Sequence, residues 1–247
     1  MNNLIKTKGI VIKSVNVGDY DKIITILSPQ YGKMDILAKG VRSLKNKNSP
    51  ATSLFSFGNY IIKNKGQMYL LSSCEVTESF YALSEDIFTL SYASYFVALI
   101  KSATVHEKEE HDLFNLLLYS LHALKAHPEN RKTIKFVFEI RLIYHLGELP
   151  DFNTCSKCGK GGILYLSKDG NNVYCNTCKD TYSIYLSRPV LYAIKLSLCD
   201  IKRAFSFAVE DTIYENLKVI SENYIKNCIG WPQKSLDFIY EIEKINK

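Results

Sequence analysis

The chain has 247 residues, enough for one large domain or two ordinary ones, and its 47% hydrophobic and 23% charged residues are typical of a folded globular protein. Seven cysteines without a secretion signal argue against a disulfide framework, and no run reaches the roughly 18 apolar residues of a membrane helix, so we expect a cytoplasmic protein. The net charge is +6, and the whole excess lies in residues 1–80, where eleven Lys and Arg stand against five Asp and Glu.

The first 80 residues show the alternation and the turn chemistry of short β-strands. We predict strands at 9–15, 22–27, 33–39, 54–63 and 68–78. Gly18 and Asp19 suit a tight reversal after the first strand, and Gly58 predicts a bulge within the fourth. Five short strands fit a small closed barrel, of which the oligonucleotide-binding (OB) fold is the commonest with a basic face; an SH3-like barrel is the alternative.

Residues 40–53 are polar and basic, and they predict a flexible loop, or a loop with one short helix. Long cations on such a loop can follow a phosphate backbone without reading sequence, although a solvated loop and a simple solubility bias are the alternatives. The candidate DNA-binding residues are Lys39, Arg42, Lys45, Lys47, Lys22 and Lys33. Candidates for base stacking are Tyr20, Tyr31, Phe57, Tyr60 and Tyr69, most of which we expect in the barrel core.

From residue 81 the spacing of apolar residues becomes helical. We predict helices at about 85–103, 113–126, 131–145, 190–199, 211–228 and 234–245. Ser84 is the predicted N-cap of the first helix and Ser187 that of the fourth, while Gly147 is the predicted C-terminal cap of the third.

The strongest motif is a pair of cysteine knuckles, CSKC at 155–158 and CNTC at 175–178, separated by sixteen residues. Two such knuckles place four thiolates at the corners of a tetrahedron, about 2.3 Å from a zinc ion. The intervening segment predicts a small hairpin. Because Cys155, Cys158, Cys175 and Cys178 close the coordination sphere, the predicted zinc is structural; a redox dithiol and an iron–sulfur cluster are the alternatives.

The remaining reactive groups predict no catalytic site. His106 and His111 are five residues apart, so on a helix they could not share a metal as an i, i+4 pair would. No phosphate-binding loop or nucleophile elbow is present, which weakens an ATPase or hydrolase interpretation. Cys74, Cys199 and Cys228 lie in apolar surroundings, where we expect buried thiols.

Taken together, these motifs resemble the RecO family. The run GDYDKIITILSPQYGKMDILAKGVRS resembles the N-terminal RecO signature of an acidic turn, a hydrophobic strand, a break and a basic strand end. The run EIRLIYHLGELPDFNTCSKCG resembles the family's helix, its Leu-Gly stop and its entry into the zinc knuckle, and residues 187–194 fit the helix that follows. The resemblance spans nearly the whole chain in the family's order.

The resemblance implies an α+β protein: an OB-fold barrel at 1–80 and an α-helical domain at 81–247, with a zinc-binding insertion at about 151–186. By position, Lys39 and Arg42 match the family's basic strand end, and the four knuckle cysteines match its ligands for one structural Zn²⁺. The family also binds the acidic tail of single-strand-binding protein on its helical domain. The candidate residues for that contact are Arg131, Lys132, Lys135 and Arg141.

The implied function is that of a non-enzymatic mediator of DNA repair and recombination at the bacterial nucleoid. Such a protein binds single- and double-stranded DNA, anneals complementary strands and, with RecR, helps load RecA onto DNA coated by single-strand-binding protein. The alternative is a zinc-containing scaffold whose basic barrel docks acidic proteins or RNA. A metal-dependent nuclease is a third hypothesis, but it needs an open metal site, and the spacing here offers only the closed four-cysteine set.

Overall fold

The N-terminal strands form a closed five-stranded barrel. This computed structural model describes residues 4–43, 45–66, 68–229 and 233–245, so Leu44 of the predicted basic loop lies outside the described residues. The strands are β1 (Leu4–Val17), β2 (Asp21–Ser28), β3 (Gly32–Ala38), β4 (Phe57–Asn64) and β5 (Tyr69–Glu78). Their order is β1-β2-β3-β5-β4, with β4 pairing back onto β1 and only β3 and β5 parallel. This closed order confirms the predicted OB-fold barrel.

The closure of the barrel depends on β1, which is much longer than the predicted strand at 9–15. Its first half pairs with β4 and its second half with β2. Gly9 and Gly58 lie opposite each other in the β1–β4 pair. A Cβ on Gly9 would lie 2.8 Å from the side chain of Ile26, and one on Gly58 would lie 2.4 Å from the carbonyl oxygen of Glu75. A side chain is therefore excluded at Gly58 by backbone, whereas at Gly9 it would require the end of the Ile26 side chain to move. The predicted bulge at Gly58 is confirmed by a register shift.

The barrel core follows the alternation of the strands. On β3, Met34, Ile36 and Ala38 are buried while Asp35 is exposed, as the pattern predicts. The loop after β3 contains one short 3₁₀ helix, Pro50–Thr52, and its Ala51 packs into the core. The hydroxyl of buried Tyr60 donates a hydrogen bond of 2.8 Å to the carbonyl of Ala51, so this tyrosine serves the core.

The rest of the chain is helical, apart from a small sheet. The helices are α1 (Ile87–Ala103), α2 (His111–Ala126), α3 (Arg131–His145), α4 (Arg188–Ser197), α5 (Ile201–Ala204), α6 (Asp211–Cys228) and α7 (Gln233–Ile245). The small sheet contains β6 (Leu164–Leu166), β7 (Val173–Cys175) and β8 (Ile184–Tyr185) in the order β7-β6-β8. The six predicted helices are present, and α5 is an additional short one. No described helix is long and apolar enough to cross a membrane.

The helix caps correct one prediction and confirm two. Ser84 is not the N-cap of α1, because it closes a preceding 3₁₀ turn; the carboxylate of Asp86 instead accepts the N–H of Thr89 at 2.9 Å. Ser187 caps α4 as predicted, by accepting the N–H of Val190. Gly147 follows α3 with a φ of +77°, a left-handed conformation that favours glycine.

The isolated cysteines depart from the prediction of buried thiols. Cys74, Cys199 and Cys228 are all half-buried, because each lies where an element meets solvent on one side. Burial still raises the pKa of Cys74 to about 11, which keeps the thiol protonated.

The described chain forms two compact units. One contains the residues up to Ala126 together with those from Phe238 onward, and the other runs from His127 to Asp237. The first unit therefore includes the barrel, α1 and α2, and the second includes the small sheet and α3 to α6. The domain boundaries predicted at residue 80 and at 151–186 stay predictions.

Within the second unit, a buried ionic cluster joins α3 to α6. The ammonium of Lys135, 1% exposed, lies 2.8 Å from the carboxylate of Glu139 and 2.7 Å from that of Glu222. Glu139 is fully buried and accepts a hydrogen bond of 2.6 Å from the hydroxyl of Ser221. Desolvation raises the pKa of Glu139 above its ordinary value. The positive charge of Lys135 opposes this shift, and the negative charge of Glu222 adds to it. The charge of Lys135 thus compensates those of Glu139 and Glu222 in this cluster.

We predict that Lys135→Met lowers the free energy of unfolding of this unit by roughly 3–5 kcal/mol, because the buried carboxylate of Glu139 and the half-buried one of Glu222 lose the cation between them. Because the pKa of Glu139 is raised in the folded state, this group contributes stability below pH 4.5, its ordinary pKa, and the contribution is lost as the pH rises through the pKa of the folded state. The stability lost by the Lys135→Met variant should therefore be larger at neutral than at mildly acidic pH. Urea unfolding at both pH values measures this.

The matched control is Lys132→Met on the same helix. Lys132 lies 2.7 Å from the carboxylate of Asp211, but both partners are solvent-accessible, so the expected loss is at most about 1 kcal/mol. Equal losses for the two variants would contradict a compensating role for Lys135.

Candidate nucleic-acid interface and metal centre

Basic side chains gather at the end of the barrel where β1 turns into β2 and where β3 ends. Lys22 opens β2 and pairs in register with Ala38, the last residue of β3. Lys39 is the residue after Ala38, so it lies one position beyond Lys22 at the same end of the barrel. The loop after β3 adds Arg42, Lys45 and Lys47, which are exposed like Lys39, whereas Lys22 is half-buried. We call these five residues, Lys22, Lys39, Arg42, Lys45 and Lys47, the basic rim.

The loop is held against the β1–β2 turn by three hydrogen bonds. The backbone N–H of Arg42 donates to the carbonyl of Tyr20 at 3.0 Å, and its guanidinium donates to the carbonyl of Gly18 at 2.8 Å. The N–H of Gly40 donates to the carboxylate of Asp21 at 2.7 Å. The bond to Gly18 uses one of the five N–H groups of a guanidinium. Arg42 is thus positioned by the turn while remaining exposed.

The other side of the loop is attached to β5. The side-chain amide of Asn48 donates to the carbonyl of Ser72 at 3.3 Å and accepts the N–H of Cys74 at 3.3 Å. The sequence predicted a flexible loop; the described part of it is anchored to the turn on one side and to a strand on the other. The basic rim therefore rests on hydrogen-bonded backbone at both of its ends.

Lys33 does not join the basic rim. It pairs with Leu27 near the β2–β3 turn, at the opposite end of its strand. Its ammonium donates a hydrogen bond of 2.9 Å to the carbonyl of Lys101 in α1. Burial lowers the pKa of Lys33, although Asp35 opposes that shift. Lys33 is distant from the basic rim because it is the second residue of the seven-residue strand β3, whereas the rim lies at the end of that strand.

The predicted stacking aromatics divide in the same way. Tyr20 is 65% exposed in the turn that holds Arg42, so it lies at the basic rim. Tyr31 is exposed at the opposite β2–β3 turn. Phe57 and Tyr69 are half-buried, and Tyr60 is buried. Among these five, Tyr20 is therefore the ring that accompanies the rim cations.

The four knuckle cysteines come together in the second unit. Their sulfur atoms all lie within 4.8 Å of one another, and the sulfurs of Cys158 and Cys175 are 3.7 Å apart. A tetrahedral site with Zn–S bonds of about 2.3 Å has sulfur–sulfur edges of about 3.8 Å. The arrangement thus fits one tetrahedral metal ion with four sulfur ligands.

Each knuckle forms a turn of the same kind, in which an N–H four residues on donates to the carbonyl of the first cysteine. The N–H of Gly159 donates to the carbonyl of Cys155 at 2.8 Å, and the N–H of Lys179 donates to the carbonyl of Cys175 at 3.0 Å. Gly159 takes a φ of +73°, which explains the glycine after the first knuckle. The predicted hairpin is confirmed, because β6 pairs with β7, with Leu164 opposite Cys175 and Leu166 opposite Val173. This pairing brings the second knuckle to the first.

The backbone around the sulfurs favours thiolates. Desolvation raises the pKa of Cys155, but hydrogen bonds from the N–H groups of Cys175, Cys158 and Lys157 outweigh it and lower the pKa to about 6. The pKa of Cys178 is raised to about 12, first by its hydrogen bond with Cys158. Metal ligation requires thiolates, so binding releases the protons that the four-cysteine cluster still holds.

The four residues predicted to contact a partner lie on α3, and the structure separates them. Lys135 is buried in the ionic cluster, and the guanidinium of Arg141 donates to the carbonyls of Ser197 and Cys199 at 2.9–3.0 Å. Arg131 and Lys132 instead line a cavity of about 210 Å³, together with Tyr214 on α6. Periodicity along a single helix could not reveal this separation, because α6 and the end of α4 decide which face is covered.

The sequence prediction did not include the outer face of the small sheet. Each of its three strands carries a tyrosine between apolar residues: Tyr165 in β6, Tyr174 in β7 and Tyr185 in β8. That repeated alternation was the available signal, but strands of two or three residues are too short to be recognised by periodicity.

Residues 1–80 match the family model for the N-terminal part of recombination protein O, and residues 84–237 match the model for its C-terminal part. The chain belongs to the RecO family. It is 32% identical to the DNA repair protein RecO of Acetivibrio thermocellus, over 98% of this chain and 99% of that relative. It is 31% identical to that of Caldicellulosiruptor bescii and 28% identical to that of Bacillus pumilus, each over at least 96% of both chains.

Membership of the RecO family confirms the resemblance found in the sequence. It gives the chain a role in DNA repair and recombination, which agrees with a basic OB-fold barrel. The metal-ligand arrangement predicted from the cysteine spacing is also consistent with the clustered sulfurs.

We predict that the chain binds one thiophilic metal ion and that Cys175→Ser weakens this binding, because a hydroxyl replaces one of four sulfurs. Titration with Co²⁺ measures both, through the thiolate-to-cobalt charge-transfer absorption. At free metal a thousandfold above the Kd, binding adds about 4 kcal/mol of stability, and the variant should lose most of it.

Cys199→Ser is the matched control, because Cys199 is half-buried and lies outside the four-sulfur cluster. It should bind one Co²⁺ with the same absorption as the unmodified chain. A spectrum without thiolate bands in the unmodified chain would exclude the four-sulfur site.

Proposed function

We propose that this RecO family member is a non-enzymatic mediator that binds single- and double-stranded DNA through the basic rim and anneals complementary strands. With RecR, it helps load RecA onto DNA coated by single-strand-binding protein. The observation that carries this proposal is the basic rim itself: five cations from the start of β2, the end of β3 and the following loop share one end of an OB-fold barrel.

The rim suits contacts with the phosphate backbone. Lys39, Lys45 and Lys47 are exposed point charges, and Arg42 presents a guanidinium fixed at one edge by Gly18. Such contacts neutralise phosphates without reading bases, so they serve single and double strands alike. Tyr20 beside Arg42 adds a ring on which an unpaired base can stack. Sequence-independent binding is what annealing of arbitrary complementary strands requires.

The four-cysteine cluster holds one structural Zn²⁺ in this proposal. Zinc bound by four thiolates has a closed coordination sphere and stabilises folds without offering a position for water. Cys155 and Cys158 hold one side of the site and Cys175 and Cys178 the other, so the ion ties the hairpin of β6 and β7 to the preceding loop. The donor set of four sulfurs in the observed geometry supports zinc.

The cavity beside Arg131 and Lys132 supports a contact with the acidic, apolar tail of single-strand-binding protein. The two cations offer partners for carboxylates, and Tyr214 and Val209 offer apolar surface. Lys135 is left out of this proposed surface because it is buried, and Arg141 because its half-buried guanidinium donates to the carbonyls of Ser197 and Cys199. Lys33 is left out of the proposed DNA interface because it lies at the opposite end of β3 from the basic rim.

We predict that Lys39→Glu combined with Arg42→Glu weakens binding of an oligo-dT single strand by roughly tenfold or more, without unfolding the protein. Losing two phosphate contacts should also make the slope of log K against log salt less steep by about 1.4. Fluorescence anisotropy across a salt series measures both quantities.

Lys6→Glu combined with Lys8→Glu is the matched control, because both lysines are exposed on β1 and the change in net charge is the same. If the control weakens binding as much as the rim variant does, binding follows total charge and the rim assignment fails.

The mediator role is tested by annealing complementary oligonucleotides coated with single-strand-binding protein, with and without the C-terminal tail of that protein. We expect the chain to accelerate annealing several-fold with the tail and much less without it, because the tail recruits it to the coated strand. No acceleration by folded, zinc-loaded protein would remove the mediator function and leave a basic scaffold.

A further inference from the structure

The small sheet of the second unit carries a row of tyrosines across its three strands. Tyr165 in β6 pairs in register with Tyr174 in β7 on one side and with Tyr185 in β8 on the other. Residues directly opposite each other on neighbouring strands project from the same face of a sheet. The three rings therefore share one face, which we call the tyrosine row.

The two faces of this sheet differ sharply in burial. Leu164, Leu166 and Val173 alternate with the tyrosines and are buried. On the other face, Tyr185 is 56% exposed, and Tyr165 and Tyr174 are half-buried. The rings of Tyr165 and Tyr185 lie 5.6 Å apart between centroids, tilted by 53°. This face of the sheet is thus aromatic, with Tyr185 the most exposed of its three rings.

Lysines accompany these rings. The ammonium of Lys179 lies 4.0 Å from the centroid of Tyr165. Tyr182, immediately before β8, is 69% exposed, and the ammonium of Lys168 lies 4.9 Å from its centroid. Both lysines are exposed, so each can move from a ring to a nearby anion at little cost. Exposed lysines therefore lie against one ring of the tyrosine row and against Tyr182 just before β8.

We propose that the tyrosine row, with Tyr182, is a second binding surface for single-stranded DNA. Two or three unpaired bases would stack on the rings while Lys168 and Lys179 contact the adjoining phosphates. Aromatic side chains on the open face of a small sheet are a general platform for stacking splayed bases. This inference rests on the proposed DNA binding of the chain and adds a surface separate from the basic rim.

A purely structural role accounts for less of the arrangement. Cross-strand aromatic pairs do stabilise short sheets, and the Tyr165–Tyr185 pair serves that purpose. Tyr182 lies outside the strands and is 69% exposed, and Tyr185 is 56% exposed. Most of the surface of these two side chains is therefore not used in packing. Exposed rings beside cations are what a base-stacking surface needs.

The local charge favours single strands over duplexes. Zinc with four thiolates carries about two negative charges, which offset part of the field of the neighbouring lysines. Stacking, and not counterion release, then supplies most of the binding at this surface. In a duplex each base is stacked between its neighbours, so its faces cannot stack on the tyrosine row.

The first test compares Tyr182→Ala combined with Tyr185→Ala against Tyr182→Phe combined with Tyr185→Phe, in the full chain. The alanine variant should bind oligo-dT roughly tenfold more weakly with an unchanged salt slope, because rings and not charges are removed. The phenylalanine variant should bind like the unmodified chain, and duplex binding should be unchanged in both. Co²⁺ absorption and melting temperature report whether each variant folds.

The second test needs no variant: an oligonucleotide containing 5-iodouracil is photo-crosslinked to the unmodified chain, and the crosslinked peptides are identified by mass spectrometry. Crosslinks at Tyr182 or Tyr185 support the proposal. Binding that is weakened by the basic-rim variant but not by the alanine variant, with no crosslink in the small sheet, would overturn it while leaving the proposed function intact. An unmodified chain that binds no single strand would overturn both, and an equal loss of duplex binding would overturn the stacking role.

Discussion

The double pairing of β1 is the constraint on which the barrel and its basic rim depend. One fourteen-residue strand pairs with β4 through its first half and with β2 through its second, and Gly58 in β4 leaves room for the carbonyl of Glu75 in β5. The strand β2 pairs in turn with β3, which sets Lys22 opposite Ala38, the residue before Lys39. The turn between β1 and β2 supplies the carbonyls that hold Arg42.

Charge is used in opposite ways in the two units. In the barrel, exposed cations are supported by backbone hydrogen bonds and kept in high dielectric, where they can exchange counterions for phosphates. In the helical unit, Lys135 is buried between two carboxylates and joins α3 to α6, so its charge is consumed by the fold. Only the first arrangement leaves cations available to a polyanion.

The small sheet adjoins the four-cysteine cluster, because Cys175 is both the last residue of β7 and the first residue of the second knuckle. Three strands of two or three residues cannot bury enough apolar area to be stable alone, and a metal ion bound by the four sulfurs would supply the missing cross-link. Tying the strands together at one end leaves the other face of the sheet free to present tyrosines. The same principle, a rigid local support under exposed functional groups, holds for the basic rim.

Alternation predicted the strands, periodicity predicted the helices, the CSKC and CNTC spacing predicted the four-cysteine cluster, and the combined motifs indicated the family. These are local properties, because each depends on residues close together in the chain. The length of β1, the separation of Lys33 from the rim, the burial of Lys135 and the alignment of Tyr165, Tyr174 and Tyr185 were decided by the tertiary structure. Each depends on strand register or helix packing between distant segments, and a pattern read along one segment does not contain its partner.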